Sequence, residues 1–90
     1  MKHSKTIERY AGSPADLAED AGNLYYDSLA ELLTLMSEKL KRDAAADRKR
    51  NRRRLAAELA ACGTHLEQAA GHIREAWRIC EPYMELEKPR

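Results

Sequence analysis

The sequence predicts an all-α protein, an antiparallel helical hairpin of two long helices, and three observations support this prediction. The chain has 90 residues, of which 43% are hydrophobic and only 6% aromatic. Its four glycines and three prolines are too few for the turns of an all-β fold. Its apolar residues recur at spacings of three and four in two stretches, which is the period of an amphipathic helix. The length fits one small domain, predicted over residues 13–81.

The first helix, helix A, is predicted over residues 14–42. Ser13 and Pro14 supply an N-cap residue and a first-turn proline. Residues 1–12, before them, show no sustained period and are interpreted as a flexible N-terminal arm. The apolar face of helix A spans roughly 200°, whereas one partner helix covers roughly 100°. Helix A is therefore expected to contact more than one neighbour.

The second helix, helix B, is predicted over residues 48–81 and has the more regular pattern. Its apolar residues alternate steps of four and three over four heptads: Leu55, Leu59, Cys62, Leu66, Ala69, Ile73, Ala76, Cys80 and Tyr83. This repeat is typical of a helix–helix seam. Because the repeat continues across Gly63, we expect helix there rather than a break. Pro82 is expected to end helix B near Cys80 and to leave residues 82–90 as a C-terminal tail.

The chain is expected to turn within residues 43–54, where the apolar pattern lapses. We favour a corner near residues 43–47, because a long structureless loop is improbable in a compact domain. The residues here that best tolerate a turn are Asp43, Asp47 and Asn51. An uninterrupted helix over residues 14–80 is the alternative geometry, since the segment is rich in alanine and lacks a strong helix breaker.

The surplus apolar face of helix A predicts a homodimer in which two hairpins form a four-helix bundle. A third helix from the N-terminal arm has too little apolar surface to cover this face. The dimer or core seam is expected to comprise Tyr25, Leu29, Leu32, Met36, Leu59, Cys62, Leu66, Ile73 and Trp77.

A strongly basic segment, residues 39–54, lies between the two apolar stretches and is called the basic tip. It holds nine positive and two negative charges, so its net charge is +7 and that of the remaining chain is −6. The candidate phosphate contacts are Arg48, Lys49, Arg50, Arg52, Arg53 and Arg54. Such a cluster fits a solvated end, phosphates of nucleic acid, or anionic lipid. No aromatic residues are interleaved for base stacking, so nucleic-acid binding would be mostly non-specific.

The sequence contains no motif for catalysis, and we expect no enzymatic activity, no cofactor and no metal site. His65 and His72 are seven residues apart, too far to ligate one ion directly from a helix. Cys62 and Cys80 are 18 residues apart, about 27 Å along one helix, so they cannot form a disulfide within it. No signal-like segment or membrane span is recognised, and we expect a cytoplasmic protein.

The function that these observations favour is a non-enzymatic helical interaction or assembly module acting as a homodimer, with its protein partner left open. The alternative is a nucleic-acid-binding dimer that contacts phosphates through the basic tip. Both interpretations depend on a chain that reverses direction once and exposes more apolar surface than one copy can bury.

Overall fold

The computed structural model describes residues 3–87, and this range contains three helices and no strand. Helix α1 spans Pro14–Gly22, α2 spans Tyr26–Lys49 and α3 spans Arg53–Glu87. The α2 and α3 helices pack along their lengths as an antiparallel hairpin, so the all-α class is confirmed. The prediction of two helices is wrong, because helix A is divided into α1 and α2.

Helix A is interrupted directly after Gly22. The backbone amide of Asn23 donates to the carbonyl of Glu19 at 3.0 Å and closes the end of α1. Tyr25 then has φ −53° and ψ 143°, so it lies outside the helical region and precedes the first turn of α2. A glycine followed by asparagine is a common helix-ending pair. This signal was present in the sequence, but the apolar period that continues beyond it predicted an unbroken helix.

The predicted start of the first helix at Pro14 is confirmed. Ser13 is the N-cap, and its hydroxyl accepts from the amide of Asp16 at 3.1 Å while its own amide donates to the Asp16 carboxylate at 3.0 Å. This capping box satisfies two backbone groups that a helix end leaves without partners. Hydrogen bonding by the Ser13 backbone and side chain lowers the pKa of the Asp16 carboxyl. Before the helix, Tyr10 donates its hydroxyl hydrogen to Asp20 at 2.5 Å, which raises the pKa of Tyr10.

The chain reverses direction at residues 50–52, so the prediction of a corner near residues 43–47 is wrong. Asn51 has φ 63°, the left-handed conformation that asparagine tolerates better than most residues. The amide of Arg52 donates to the Asp47 carbonyl at 2.9 Å and that of Asn51 donates to the Arg48 carbonyl at 3.0 Å. These two bonds form a Schellman motif, which satisfies the last carbonyls of α2. The alternative of one uninterrupted helix is therefore excluded.

The α2 helix extends beyond the predicted boundary at residue 42 because alanines and charged residues with high helix propensity follow it. Helix α3 runs continuously through Gly63, as predicted. It also runs through Pro82, so the prediction that proline ends the helix near Cys80 is wrong. Proline removes the hydrogen bond to the carbonyl of Arg78. Both residues are exposed, which leaves that carbonyl open to hydration.

Small residues form the centre of the contact between α2 and α3. Every seventh residue of each helix is buried: Ala30, Ser37 and Ala44 in α2, and Ala56, Gly63 and Ala70 in α3. The Ser37 hydroxyl donates to the Gly63 carbonyl at 2.6 Å, which sets the register. Seven residues away on either side, this register places Ala30 beside Ala70 and Ala44 beside Ala56.

The two backbones approach each other closely at Gly63. A Cβ atom at this position would lie 3.2 Å from the backbone carbonyl oxygen of Ser37 and 2.9 Å from Cγ of Lys41. The glycine is therefore required by the distance between the helices rather than by its own backbone conformation. Gly71, which directly follows Ala70 at the end of the buried row, has no neighbouring atom within 4 Å of such a Cβ.

The close contact divides the hairpin surface into two flanks. On the polar flank, Lys41 pairs with Glu67 at 3.0 Å and Arg74 donates to the Thr34 hydroxyl at 3.2 Å. The opposite side is here called the apolar flank. It consists of Leu29, Leu32, Leu33, Met36 and Leu40 from α2, and of Leu55, Leu59, Cys62, Leu66, Ala69, Ile73, Ala76 and Cys80 from α3.

The molecule is elongated, with principal dimensions of 53 × 29 × 16 Å. Its radius of gyration is 16.2 Å, whereas a compact chain of this length has about 12 Å. Within residues 3–87, none of the helices combines the length and the apolar character needed to cross a bilayer.

We expect Gly71→Ala to raise the free energy of unfolding by about 0.5–1 kcal/mol, because alanine has the higher helix propensity and this position is open. In Gly63→Ala the helix propensity rises by the same amount, but the added methyl group must push α2 away. We therefore expect the free energy of unfolding to fall by about 1 kcal/mol. Urea denaturation followed by circular dichroism measures both changes. Equal gains in the two variants would contradict the close approach at Gly63.

Candidate interaction surfaces

The apolar flank lies beside the hairpin contact rather than within it. Leu59 and Leu66 are four residues before and three residues after Gly63, so they follow one edge of the buried row along α3. Leu33 and Leu40 have the same relation to Ser37 on α2. These four leucines are half-buried. They form the inner margin of a surface that continues outward over both helices.

The outer part of the apolar flank is open to solvent. Leu32 is 37% exposed, Met36 45% and Leu55 46%, and Cys62 is also exposed. Residues 3–9 are exposed as well, although His3 borders the flank where it meets Leu40. His3 lines a pocket of the flank with Leu55 and Leu59 as well, and no residue of α1 is buried, although Leu17 and Ala21 are half-buried. Beside this segment, Leu32, Met36, Leu55 and Cys62 stay exposed.

Seven of the nine predicted seam residues lie on the apolar flank: Leu29, Leu32, Met36, Leu59, Cys62, Leu66 and Ile73. None of them belongs to the buried row of the hairpin. The intrachain contact is instead centred on the adjacent row of small residues, which the sequence analysis did not identify. The role of these seven residues in a dimer seam stays a prediction.

The two other predicted seam residues, Tyr25 and Trp77, stack at the end of the hairpin remote from the turn, which is called the open end. Their ring centroids are 5.8 Å apart and their planes differ by 25°. Trp77 is half-buried and Tyr25 is exposed. An offset stack of this kind stabilises the end of the hairpin by about 1 kcal/mol, so these rings close the open end of the helix pair.

The basic tip surrounds the turn between α2 and α3. All six predicted phosphate contacts are exposed: Arg48, Lys49, Arg50, Arg52, Arg53 and Arg54. They occupy the last turn of α2, the connection and the first turn of α3. Their charges therefore project in several directions around the end of the hairpin and do not form a single stripe.

Asp47 is the acidic centre of the basic tip. Its side chain is 12% exposed, and its carboxylate lies 3.5 Å from Nη1 of Arg52 and 3.9 Å from Nη1 of Arg50. The backbone carbonyl of the same residue accepts the amide of Arg52. One residue thus holds the turn through both its main chain and its side chain. In the described range, no carboxylate within 4.0 Å pairs with the four other predicted phosphate contacts.

The cysteines and histidines of α3 lie at separate positions along the helix. Cys62 and Cys80 are free thiols. His65 and His72 are exposed, and across residues 3–87 no three potential ligands among histidine, cysteine and acidic residues converge on a common point.

Comparison of the chain with protein-family models, curated proteins and solved structures finds no match.

We expect Asn51→Ala to lower the free energy of unfolding by about 1 kcal/mol, because alanine has the higher cost in the left-handed conformation. Asn51→Gly is the matched control and is expected to be neutral or slightly stabilising, since glycine adopts this conformation freely. Neither substitution changes a charge of the basic tip. Thermal unfolding followed by circular dichroism compares the variants, and equal stabilities of the alanine and glycine variants would contradict the described turn.

Proposed function

We propose that this chain is a non-enzymatic helical assembly module that associates with a second copy through the apolar flank. The observation that carries this proposal is the separation of two contact surfaces on one hairpin. Small residues hold α2 against α3, so the leucines of the apolar flank and Met36 lie beside this contact, where they are half-buried or exposed. A long row of partly exposed leucines on two adjacent helices is typical of a protein interaction site.

The extent of exposed surface supports a large interface. The accessible surface of the chain is 7734 Å², whereas a compact monomer of 10.2 kDa has about 5300 Å². A standard protein interface buries about 800 Å² on each partner. The excess of about 2400 Å² belongs to the whole elongated chain, including its exposed N-terminal arm, and it is larger than the area that one standard interface buries on each partner.

A second copy is the partner that this surface fits most simply. Every copy has the same two-helix apolar flank, and a two-fold axis brings identical patches together. Two hairpins stacked in this way form a four-helix bundle whose central layer contains leucines, Met36 and Ile73. The small residues remain inside each hairpin, and the large residues fill the space between hairpins.

Sedimentation equilibrium is expected to give a dimer at micromolar concentration. The double variant Leu32→Glu with Met36→Glu is expected to raise the Kd at least about a hundredfold, because each dimer would bury four unpaired carboxylates. The matched control is Leu35→Glu with Ile79→Glu, which changes two residues that are 53% and 69% exposed and lie outside the apolar flank.

The control is expected to remain dimeric, and circular dichroism of all samples checks that the helices are retained. A wild-type monomer at tens of micromolar would contradict the proposal. Equal weakening by the two double variants would show that the association does not use the apolar flank.

A second candidate function is contact with nucleic-acid phosphates through the basic tip. The observation in its favour is that Arg48, Lys49, Arg53 and Arg54 are exposed around an ordered turn, without a carboxylate partner among the described residues. Each basic side chain that neutralises a phosphate releases a condensed counterion. Binding of this kind depends steeply on salt and hardly on sequence.

Electrophoretic retardation of duplex DNA and of RNA at low salt tests this second function. For duplex DNA, Arg53→Ala with Arg54→Ala is expected to reduce the slope of log affinity against log salt by about 2. Arg74→Ala with Arg78→Ala removes the same charge from the open end and is expected to leave the slope unchanged. Absence of retardation at low salt, or equal effects of the two variants, would contradict phosphate binding by the basic tip.

A further inference from the structure

The hairpin is strongly polarised along its length. The basic tip has a net charge of +7 at the turn. Residues 13–31, which comprise α1 and the first residues of α2, contain five carboxylates and no basic residue. The connection between these two helices lines a pocket with Trp77 and Cys80 at the open end. The opposing segment of α3, residues 70–84, has two positive and two negative charges. One end of the molecule is therefore basic and the other is acidic.

Two stacked hairpins related by a two-fold axis have two possible orientations. If the axis runs along the hairpin, both basic tips lie at the same end of the bundle. If the axis crosses the hairpin at a right angle within the interface, each basic tip lies at the open end of its partner. The first orientation brings two clusters of like charge together, and the second brings opposite charges together. Charges within about 10 Å interact appreciably at an ionic strength of about 0.1 M.

We propose that the second copy docks in the antiparallel orientation, with each basic tip placed against the acidic open end of the partner. This inference rests on the dimer proposed above and specifies its geometry. Burial of the apolar flank supplies affinity in either orientation. The opposite charges at the two ends select between them, as electrostatic complementarity does at other interfaces.

The antiparallel orientation pairs each helix with its own copy, so α3 lies along α3 of the partner. The apolar stripe of α3 runs from Leu55 to Cys80 and that of α2 from Leu29 to Leu40. In the Ser37–Gly63 register, overlap of both stripes with their copies places the axis close to Leu66. With a rise of 1.5 Å per residue, Cys62 lies about 6 Å and Cys80 about 21 Å from the axis along the helix. The two Cys62 residues are then about 12 Å apart along the bundle, and the two Cys80 residues about 42 Å apart.

The native cysteines make this geometry measurable without an introduced thiol. Cys80→Ser leaves only Cys62, and Cys62→Ser leaves only Cys80. Each variant is treated with a bismaleimide that has a hexane spacer, and covalent dimers are scored on a denaturing gel. We expect Cys80→Ser to give the covalent dimer as its main product and Cys62→Ser to give none. In the parallel orientation, each cysteine and its copy lie at the same position along the bundle, so the two variants would cross-link to the same extent.

Sedimentation of the same variants separates this inference from the proposed function. If both variants are dimeric and both or neither cross-link, or only Cys62→Ser does, the antiparallel geometry is wrong while the dimer stands. If both are monomeric, the dimer and its geometry fail together. Adding Leu32→Glu and Met36→Glu to Cys80→Ser is expected to abolish the cross-link, which excludes chance collision as its source.

Salt provides a second, independent readout on the wild-type chain. Screening weakens the attraction between a basic tip and an acidic open end, so the Kd of the dimer is expected to rise several-fold as NaCl increases from about 0.1 M to about 1 M. Two adjacent basic tips would repel each other, and the same screening would lower the Kd. A Kd that falls or stays constant would overturn the electrostatic selection of the antiparallel orientation.

Discussion

The close approach of α2 and α3 determines which surfaces remain for other contacts. Ser37 donates to the Gly63 carbonyl across the helix pair, and a side chain at Gly63 would meet the opposing backbone. Helices at this distance bury alanine, serine and glycine at their centre and have no room for leucine. The large apolar residues are consequently displaced to one side, where they remain partly exposed. The apolar flank is thus a direct consequence of the small residues in the hairpin contact.

The fold class and the start of the first helix followed from the sequence because their signals are local. Ser13 and Pro14 specify a helix start through backbone hydrogen bonding and a restricted φ angle. The turn was harder to locate, because Asp43, Asp47 and Asn51 are all tolerated in turns. The position of the turn depends on Asn51, which adopts the left-handed conformation. The two Schellman hydrogen bonds around it form only when α2 extends to Lys49. Helix propensity between residues 43 and 49 supports that longer helix.

Most residues of the apolar flank follow from their spacing in the sequence, namely the heptad repeat of α3 and Leu29, Leu32 and Met36 of α2, but their position beside the hairpin contact does not. In α3 the row containing Gly63 and the row containing Leu66 repeat with the same seven-residue period, so periodicity alone cannot rank them. Hydrophobicity favours the leucine row. The short distance between α2 and α3 favours burial of the row that contains Gly63, and this distance is set by both helices together. Which row is buried between the helices therefore depends on both of them, and the sequence pattern of one helix alone does not determine it.

The proposed antiparallel dimer and the proposed phosphate binding would both use the arginines of the basic tip. In the antiparallel orientation, the carboxylates of α1 and the start of α2 lie beside the partner's basic tip and lower its effective charge. Polyanion binding then has to displace these carboxylates, or use the side chains that point away from the interface. Arg53 and Arg54 occupy successive positions of one helical turn, so their side chains differ in direction by about 100°, and both cannot face the partner equally. In the proposed dimer, one part of the basic tip would therefore contact the partner copy while another part would remain open to solvent.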